Sequence, residues 1–388
     1  MPPINILIKP ASSACNAACA YCFYHDVAQK RKNAFEGMLS MERMEQVIRA
    51  GLEQAEHICS FTFQGGEPTL RGLEFYREVV RLQRMYARPS VEIQNNLQTN
   101  GLLIDADWAE FFHDNAFLIG LSLDGPAELH DANRFDHTGH GTWSRAMGAA
   151  RLFRRYGVDF NVLSVVTGRS ARAVERIYNF YRRENFRWLQ FIPCMEPLGE
   201  QRGTKDYYLS PEAYGEFLIR LFDLWYVDLQ RGEYRSIRQF DNWMFMMLGQ
   251  PPEACNMRGT CNIQFVIEGD GGVYPCDFYV LDRWRLGTVG ERSLAELQSS
   301  ERAKRFVEYS CTLPEACRSC QWLQLCRNGC RRDREVLLDG TTGKNYYCQA
   351  YQSFFRARTG QMEQALKQLL CMRRGNVWGG RNYSNPRN

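Results

Sequence analysis

In its first half the chain alternates six times between a short apolar run and an amphipathic segment, a repeat that leaves few folds open. The apolar runs are Asn5–Lys9, Ile58–Gln64, Val91–Thr99, Phe117–Asp124, Asp159–Val166 and Arg187–Ile192. Their length and β-branched or aromatic content read as strands. Ser40 is positioned to cap a helix that places Met44, Val47, Ile48 and Leu52 on one face. Further helical patterns cover Leu73–Tyr86, Asp105–Asp114, Thr142–Tyr156 and Ser170–Glu184. Six strand–helix units predict an α/β fold whose parallel sheet curls into a partial (β/α)6 barrel. In such barrels functional groups collect at the C-terminal strand ends.

After about Gly199 the pattern changes. Ser210–Gln230 reads as one long amphipathic helix, with Tyr214, Phe217, Leu218, Leu221 and Trp225 as a stripe for core packing. From Cys255 onward the strand-like runs shorten and Gly and Cys accumulate. A region with so little apparent core needs metal staples. The expected division is residues 1–235 as the barrel with its connecting helix, 236–350 as the cysteine-rich domain, and 351–388 as a C-terminal helix with a basic tail. Arg373, Arg374, Arg381 and Arg387 among small polar residues read as a mobile tail.

The chain has 15 cysteines in 388 residues and a net charge of +4. So small a charge predicts neither nucleic acid nor an anionic membrane as a partner. No apolar run reaches the length of a membrane span, and the start Met1-Pro2-Pro3-Ile4 lacks signal-peptide features. The expected location is cytoplasmic, where thiols stay reduced, so the cysteines point to metal or redox sites. Cys15, Cys19 and Cys22 follow the first strand in the spacing C-x3-C-x2-C. Three thiolates can hold three irons of a cubane and leave the fourth open to a ligand. A zinc knuckle lacking one ligand is the competing reading, although zinc sites usually show paired C-x2-C.

The C-x3-C-x2-C run, with Tyr21 before its last cysteine, resembles the signature of the radical S-adenosylmethionine (radical SAM) enzymes. Gln64-Gly65-Gly66-Glu67-Pro68 after the second strand resembles the turn that binds the methionine amino group in that family. The resemblance implies that Tyr21, Gly66, Ser122 and Arg134 contact SAM, with Ser122 and Arg134 toward the ribose and carboxylate. It also implies that Met195, past the sixth strand, lies against the adenine. The six histidines show no metal-ligand spacing and read as loop or surface residues.

Eight cysteines of the second half fall in the pattern of SPASM domains, which carry two auxiliary [4Fe–4S] clusters. By that resemblance Cys255, Cys261, Cys276 and Cys330 hold one cluster, and Cys317, Cys320, Cys326 and Cys348 hold the other. Gly269-Asp270-Gly271-Gly272 reads as a hairpin turn that brings Cys261 and Cys276 together. Two structural zincs remain the alternative on spacing alone. Cys59, Cys194, Cys311 and Cys371 are left as core or free thiols.

Tyr274-Pro275-Cys276-Asp277-Phe278-Tyr279 and Val280-Leu281-Asp282-Arg283-Trp284-Arg285-Leu286-Gly287 resemble the anaerobic sulfatase-maturating enzymes, as do Phe63–Leu70 and Leu97–Gly101. The resemblance implies three [4Fe–4S] clusters, SAM, and oxidation of a Cys or Ser in a sulfatase C/S-x-P/A-x-R segment to Cα-formylglycine. A deoxyadenosyl radical takes hydrogen from the side-chain Cβ, Asp277 is the implied base for the thiol proton, and an auxiliary cluster accepts the remaining electron. Implied partners are an unfolded or nascent sulfatase and an electron donor such as ferredoxin or flavodoxin. Gln64 and Tyr24 are placed near the substrate by position only. The alternatives are another SPASM enzyme, crosslinking a peptide by thioether or carbon–carbon bonds, and a non-enzymatic zinc adaptor.

Overall fold

The computed structural model describes residues 4–334 and 343–374. The Pro-Pro start and the basic run beyond Arg374 lie outside the described residues. One sheet organises the chain: β1 Ile4–Ile8, β2 Ile58–Phe63, β3 Glu92–Thr99, β4 Leu118–Ser122, β5 Phe160–Val166, β6 Trp188–Pro193, β7 Ser236–Ile237, β8 Val266–Ile267, β9 Gly272–Tyr274 and β10 Gly287–Thr288. The spatial order is β10-β9-β8-β1-β2-β3-β4-β5-β6-β7. From β1 to β7 every neighbouring pair is parallel. Parallel neighbours need crossovers, which the intervening helices supply. β8 then adds parallel to the free side of β1 and turns back antiparallel into β9 and β10. The same sheet therefore runs across the position at which the sequence divides the barrel from the cysteine-rich part.

Local signals account for the helices. Ser40 Oγ accepts from the Arg43 amide at 3.2 Å, and the helix Met41–Gln54 buries Met44, Val47, Ile48 and Leu52. Asp105 caps Ala106–Asp114 through the Trp108 amide, and Ser210 caps Pro211–Gln230 through that of Ala213. The helix expected over Ser170–Glu184 is instead two pieces, Gly168–Ala171 and Val174–Arg183. Thr167 and Ser170 cap each other reciprocally, and the Gly168 amide donates to Tyr208 O at 3.1 Å, so the first turn is pinned and the helix restarts.

Pro211–Gln230 lies along the long helix Cys348–Arg374. Gly215 permits the close approach, since a Cβ there would stand 3.2 Å from Ala350 Cα. Arg358 forks onto Asp223 at 2.7 and 2.8 Å beside it. The region after Cys255 has more core than its sequence promises. Tyr274, Tyr279, Trp284 and Phe306 form a second buried cluster, joined by Tyr24 and Val27 of the helix Phe23–Gln29. The fully buried Arg331 guanidinium lies 4.8 to 5.3 Å from the rings of Tyr279, Trp284, Phe306 and Tyr309. No helix among the described residues is long and apolar enough to cross a membrane.

Candidate active site

The cysteine loop leaves the C-terminal end of β1 and is held from several sides. Ala18 and Ala20 amides donate to Phe135 O (2.7 Å) and Asn133 O (2.9 Å), and His137 Nε2 lies 2.8 Å from Cys15 O. Cys15 Sγ accepts from the Ala17 amide at 3.4 Å and from Asn100 Nδ2 at 3.8 Å. Cys22 caps the helix Phe23–Gln29, its sulfur accepting from the amide of the exposed His25 at 3.4 Å. Burial pushes the Cys15 thiol up to about 12, and negative charge on Cys19 and Cys22 would push it the same way. The three sulfurs therefore share one small volume, and a positively charged group placed there would draw off their protons.

The Gly-Gly-Glu turn packs directly on this loop. Gly66 donates its amide to Ser12 O at 2.8 Å, and a Cβ on it would fall 1.9 Å from Ala14 O. Gly65 sits at φ +133°, open to glycine and strained for other residues. Glu67 is buried and turned inward. Its carboxylate accepts from the Thr69 amide and hydroxyl, the Thr99 hydroxyl and the Asn100 amide at 2.6 to 3.1 Å. Glu67 thus ties the ends of β2 and β3 together beside Asn100, which touches Cys15. Its role is not apparent from the motif alone.

Arg134 is buried and spends two arms on Asp124, at 2.9 Å (Nε) and 3.2 Å (Nη2). The Tyr21 hydroxyl donates to the same carboxylate, and the Arg134 guanidinium stands 5.3 Å from the Tyr21 ring. Burial works against the Asp124 anion, but the Arg134 charge outweighs it and holds the carboxyl below the usual range. This trio borders Cys19, whose thiol feels the Arg134 charge. Ser122 ends β4 with its hydroxyl accepting from Gln98 Nε2 at 3.0 Å. Met195 is half-buried in the segment after β6. Tyr21, Gly66 and Arg134 are thus gathered around the cysteine loop, and Met195 follows Cys194, which feels the charges of Asp124 and Arg134.

One histidine departs from the surface reading. His130 is buried, with Nδ1 accepting from the Asp124 amide at 3.2 Å and Nε2 3.0 Å from Thr142 Oγ1. An amide can only donate, so Nδ1 carries no proton and the neutral ring holds its hydrogen on Nε2. Burial pushes its pKa down to about 4. His25, His57, His113, His137 and His140 are exposed.

Asp277 stands on the other side of the cysteine loop, at the end of the β8–β9 hairpin. Its Oδ1 accepts from the fully buried Lys9 ammonium and its Oδ2 from Gln64 Nε2 at 3.1 Å. Lys9 also lies 3.6 Å over the Tyr24 ring, and the Tyr24 hydroxyl donates to Glu268, which pairs with Arg31 at 2.7 Å. Both Asp277 and Lys9 are near enough to act electrostatically on Cys22. Sequence reasoning missed Lys9. A lysine that directly continues an apolar strand is the one signal it offers.

The remaining cysteines gather in two sets. Negative charge on Cys261, Cys330 and Cys255 acts on Cys276, which burial pushes well above the ordinary thiol range. The hairpin runs on to Gln264, whose amide donates to Pro275 O at 2.9 Å, and so brings Cys261 within electrostatic reach of Cys276. Cys317, Cys320, Cys326 and Cys348 line one shallow pocket with Trp322 and Tyr351. Between the sets, Arg327, Asn328 and Gly329 take positive φ in succession, reversing the chain so that Cys326 and Cys330 face different groups. Among the described residues no three His, Cys, Asp or Glu side chains close to the reach of a single ion. A cubane, several atoms across, takes thiolates that are farther apart. Cys59 and Cys194 are buried, and Cys311 and Cys371 exposed.

Comparison with known proteins agrees with this arrangement. Residues 10–181 match the radical SAM superfamily and 255–321 the SPASM iron–sulfur cluster-binding domain. The chain is 47% identical over 355 residues to a cysteine-type anaerobic sulfatase-maturating enzyme of Clostridium perfringens, covering 92% of this chain and 96% of that one. A serine-type enzyme of Bacteroides thetaiotaomicron is 33% identical over 386 residues, covering 95% and 92%. A solved structure described as native anSMEcpe with bound AdoMet and Cp18Cys peptide superposes with a TM-score of 0.91 at 45% identity, covering 95% of this chain and all of that one. Streptococcus suis SuiB, at 17% identity and a TM-score of 0.64, shares the fold over 89% of this chain and 76% of its own. The chain belongs to the anaerobic sulfatase-maturating enzymes, radical SAM oxidoreductases with [4Fe–4S] clusters that convert a sulfatase cysteine or serine to Cα-formylglycine.

Proposed function

We propose that this chain acts on a cysteine in a C-x-P-x-R segment and that Asp277 takes the thiol proton. Identities of 47% and 41% to cysteine-type relatives, against 33% to a serine-type one, support the cysteine substrate. The observation that carries the role of Asp277 is its place. It adjoins Cys276 of one thiol set and acts electrostatically on Cys22 of the other, at the mouth of β1 and β2. Cys15, Cys19 and Cys22 hold the cluster that binds SAM. Cys255, Cys261, Cys276 and Cys330 hold one auxiliary cluster, and Cys317, Cys320, Cys326 and Cys348 the other.

Bound together, the reduced first cluster and SAM supply a radical that removes one hydrogen atom from the substrate Cβ, and the auxiliary clusters supply a place for one electron. The residues do the rest. Lys9 and Gln64 hold one carboxylate oxygen of Asp277 each, which orients the carboxylate to accept the thiol proton. Loss of that proton and electron leaves a thioaldehyde, which water converts to aldehyde and hydrogen sulfide. Gly66 lets the turn after β2 meet the cysteine loop. Tyr21, Ser122 and Arg134 would hold SAM, with Met195 toward its adenine; Nη1 of Arg134 lies outside its fork with Asp124.

The partners are a sulfatase polypeptide and a one-electron donor of the ferredoxin or flavodoxin kind. Eleven of the 15 cysteines are assigned to clusters, which need reduced thiols, and this supports work in the reducing cytoplasm. The barrel (1–235) and the auxiliary-cluster domain (236–350) are functional divisions that share one sheet, and the C-terminal part (351–388) follows them.

The test is anaerobic incubation of the reconstituted enzyme with SAM, reductant and a C-x-P-x-R peptide, read by mass spectrometry. The expected product has the thiol replaced by an aldehyde, and Asp277→Asn abolishes it while deoxyadenosine still forms. Aldehyde formation at the normal rate by Asp277→Asn removes the base from this site. Deoxyadenosine with an unchanged peptide would favour a different peptide modification.

A further inference from the structure

A basic surface next to the cysteine loop plays no part in the chemistry above. The helix Trp143–Tyr156 carries Arg145, Arg151, Arg154 and Arg155 and no acidic residue. Arg145 donates to Asp136 at 2.7 Å and Arg154 to the Glu184 carbonyl. Arg151 and Arg155 are exposed and have no carboxylate partner among the described residues. With Arg145 they rim an open depression of ≈ 440 Å³ whose other wall is apolar, formed by Leu102, Ile104 and Leu152. Asp105 and Asp107, which follow in sequence, do not line it.

The floor of the depression is wired to a cluster ligand. The Leu102 amide donates to Asn100 Oδ1 at 3.0 Å, and Asn100 Nδ2 donates to Cys15 Sγ at 3.8 Å and to Asn16 Oδ1 at 2.8 Å. An apolar centre with a cationic rim is the usual anatomy of a surface that receives an acidic protein.

We propose that this depression docks the electron donor of the first cluster, and that the donor is a small acidic carrier protein that gives up one electron at a time. The proposal rests on the radical SAM reading, which demands such an electron. The reduced carrier loses one electron, which ends in breaking the C5′–S bond of SAM to methionine and a deoxyadenosyl radical. The arginines steer and orient the carrier so that its redox group faces Asn100 and Cys15.

The test uses the reconstituted enzyme with an acidic bacterial flavodoxin and an acidic ferredoxin. Binding is measured by fluorescence anisotropy, and oxidation of the reduced carrier by stopped flow. Wild type should bind at least one carrier, more weakly as salt rises. Arg151→Glu/Arg155→Glu should weaken binding and slow carrier oxidation at least tenfold at low salt. Arg151→Lys/Arg155→Lys should stay near wild type, and dithionite-driven deoxyadenosine formation should be the same in all three. Equal carrier binding and oxidation in the charge-reversed variant would overturn the proposal. So would the absence of salt-sensitive binding to either carrier by wild type. Failure of wild type to cleave SAM with dithionite would instead defeat the radical SAM reading, while the binding comparison would still judge the docking surface.

Discussion

Acidification should destabilise this protein through His130 in a window that the structure defines. In the fold the ring stays neutral down to about 4, because it is buried and its Nδ1 must accept from the Asp124 amide. In the unfolded chain it titrates near 6.5. Above that value both states are neutral and the residue contributes no pH dependence. Below it the unfolded chain binds a proton that the native state refuses, so stability falls with pH and the loss is complete near pH 4. The full difference is about 3 kcal/mol, and at pH 5.5 about 1.4 kcal/mol is already lost. The measurement is the urea unfolding free energy of wild type and His130→Asn at pH 7.5, 6.5 and 5.5. Asparagine can still accept from the Asp124 amide but has no proton to gain. The variant should begin about 1 kcal/mol less stable, from the lost Thr142 contact, and the gap should close as pH falls. Acid sensitivity from other groups is common to both proteins and cancels in the difference. Parallel pH profiles would refute the assignment of His130 as a neutral, buried acceptor.

Other consequences follow from single contacts. Gly66→Ala places a Cβ where Ala14 O stands; it should cost about 1–3 kcal/mol locally and lower SAM cleavage more than it lowers the unfolding midpoint, read by deoxyadenosine yield and thermal melting. Lys9→Met leaves Asp277 without its buried cation and should cost about 3–5 kcal/mol. Adding Asp277→Asn should return part of that in a double-mutant cycle, and additive losses would mean the pair is not coupled. Cys348→Ala removes one thiolate from the pocket shared with Cys317, Cys320 and Cys326; reconstituted protein should lose about one third of its iron and keep the spectrum of the SAM-binding cluster.

Local patterns proved legible because local forces write them. The cap at Ser40 and the helices Leu73–Tyr86 and Pro211–Gln230 follow from side chains within one turn of each other. The cysteine spacings were legible for the same reason. The breaks in legibility lie where distant segments meet. His130 stands among polar residues that read as a loop, and only the packing of the Asp124 turn buries it. Arg331 looks like a surface residue until the rings from four separate positions enclose it. Strands β7 to β10 have two or three residues each, too few for any period to show.

The pairing of Lys9 with Asp277 spans 268 positions and is the clearest case. Neither residue announces the other, and only the folded chain brings them together. β8 pairs with β1 in the register Ile8–Ile267, and β9 returns antiparallel with Tyr274 opposite Val266, so the chain turns back along β8 before Asp277 meets Lys9. Both residues of the pair act electrostatically on Cys22. A substitution that shifted β8 by one residue would turn its side chains to the opposite face and part Asp277 from Lys9. The cysteine-rich region is accordingly a continuation of the barrel's sheet, joined to it through the pairing of β8 with β1.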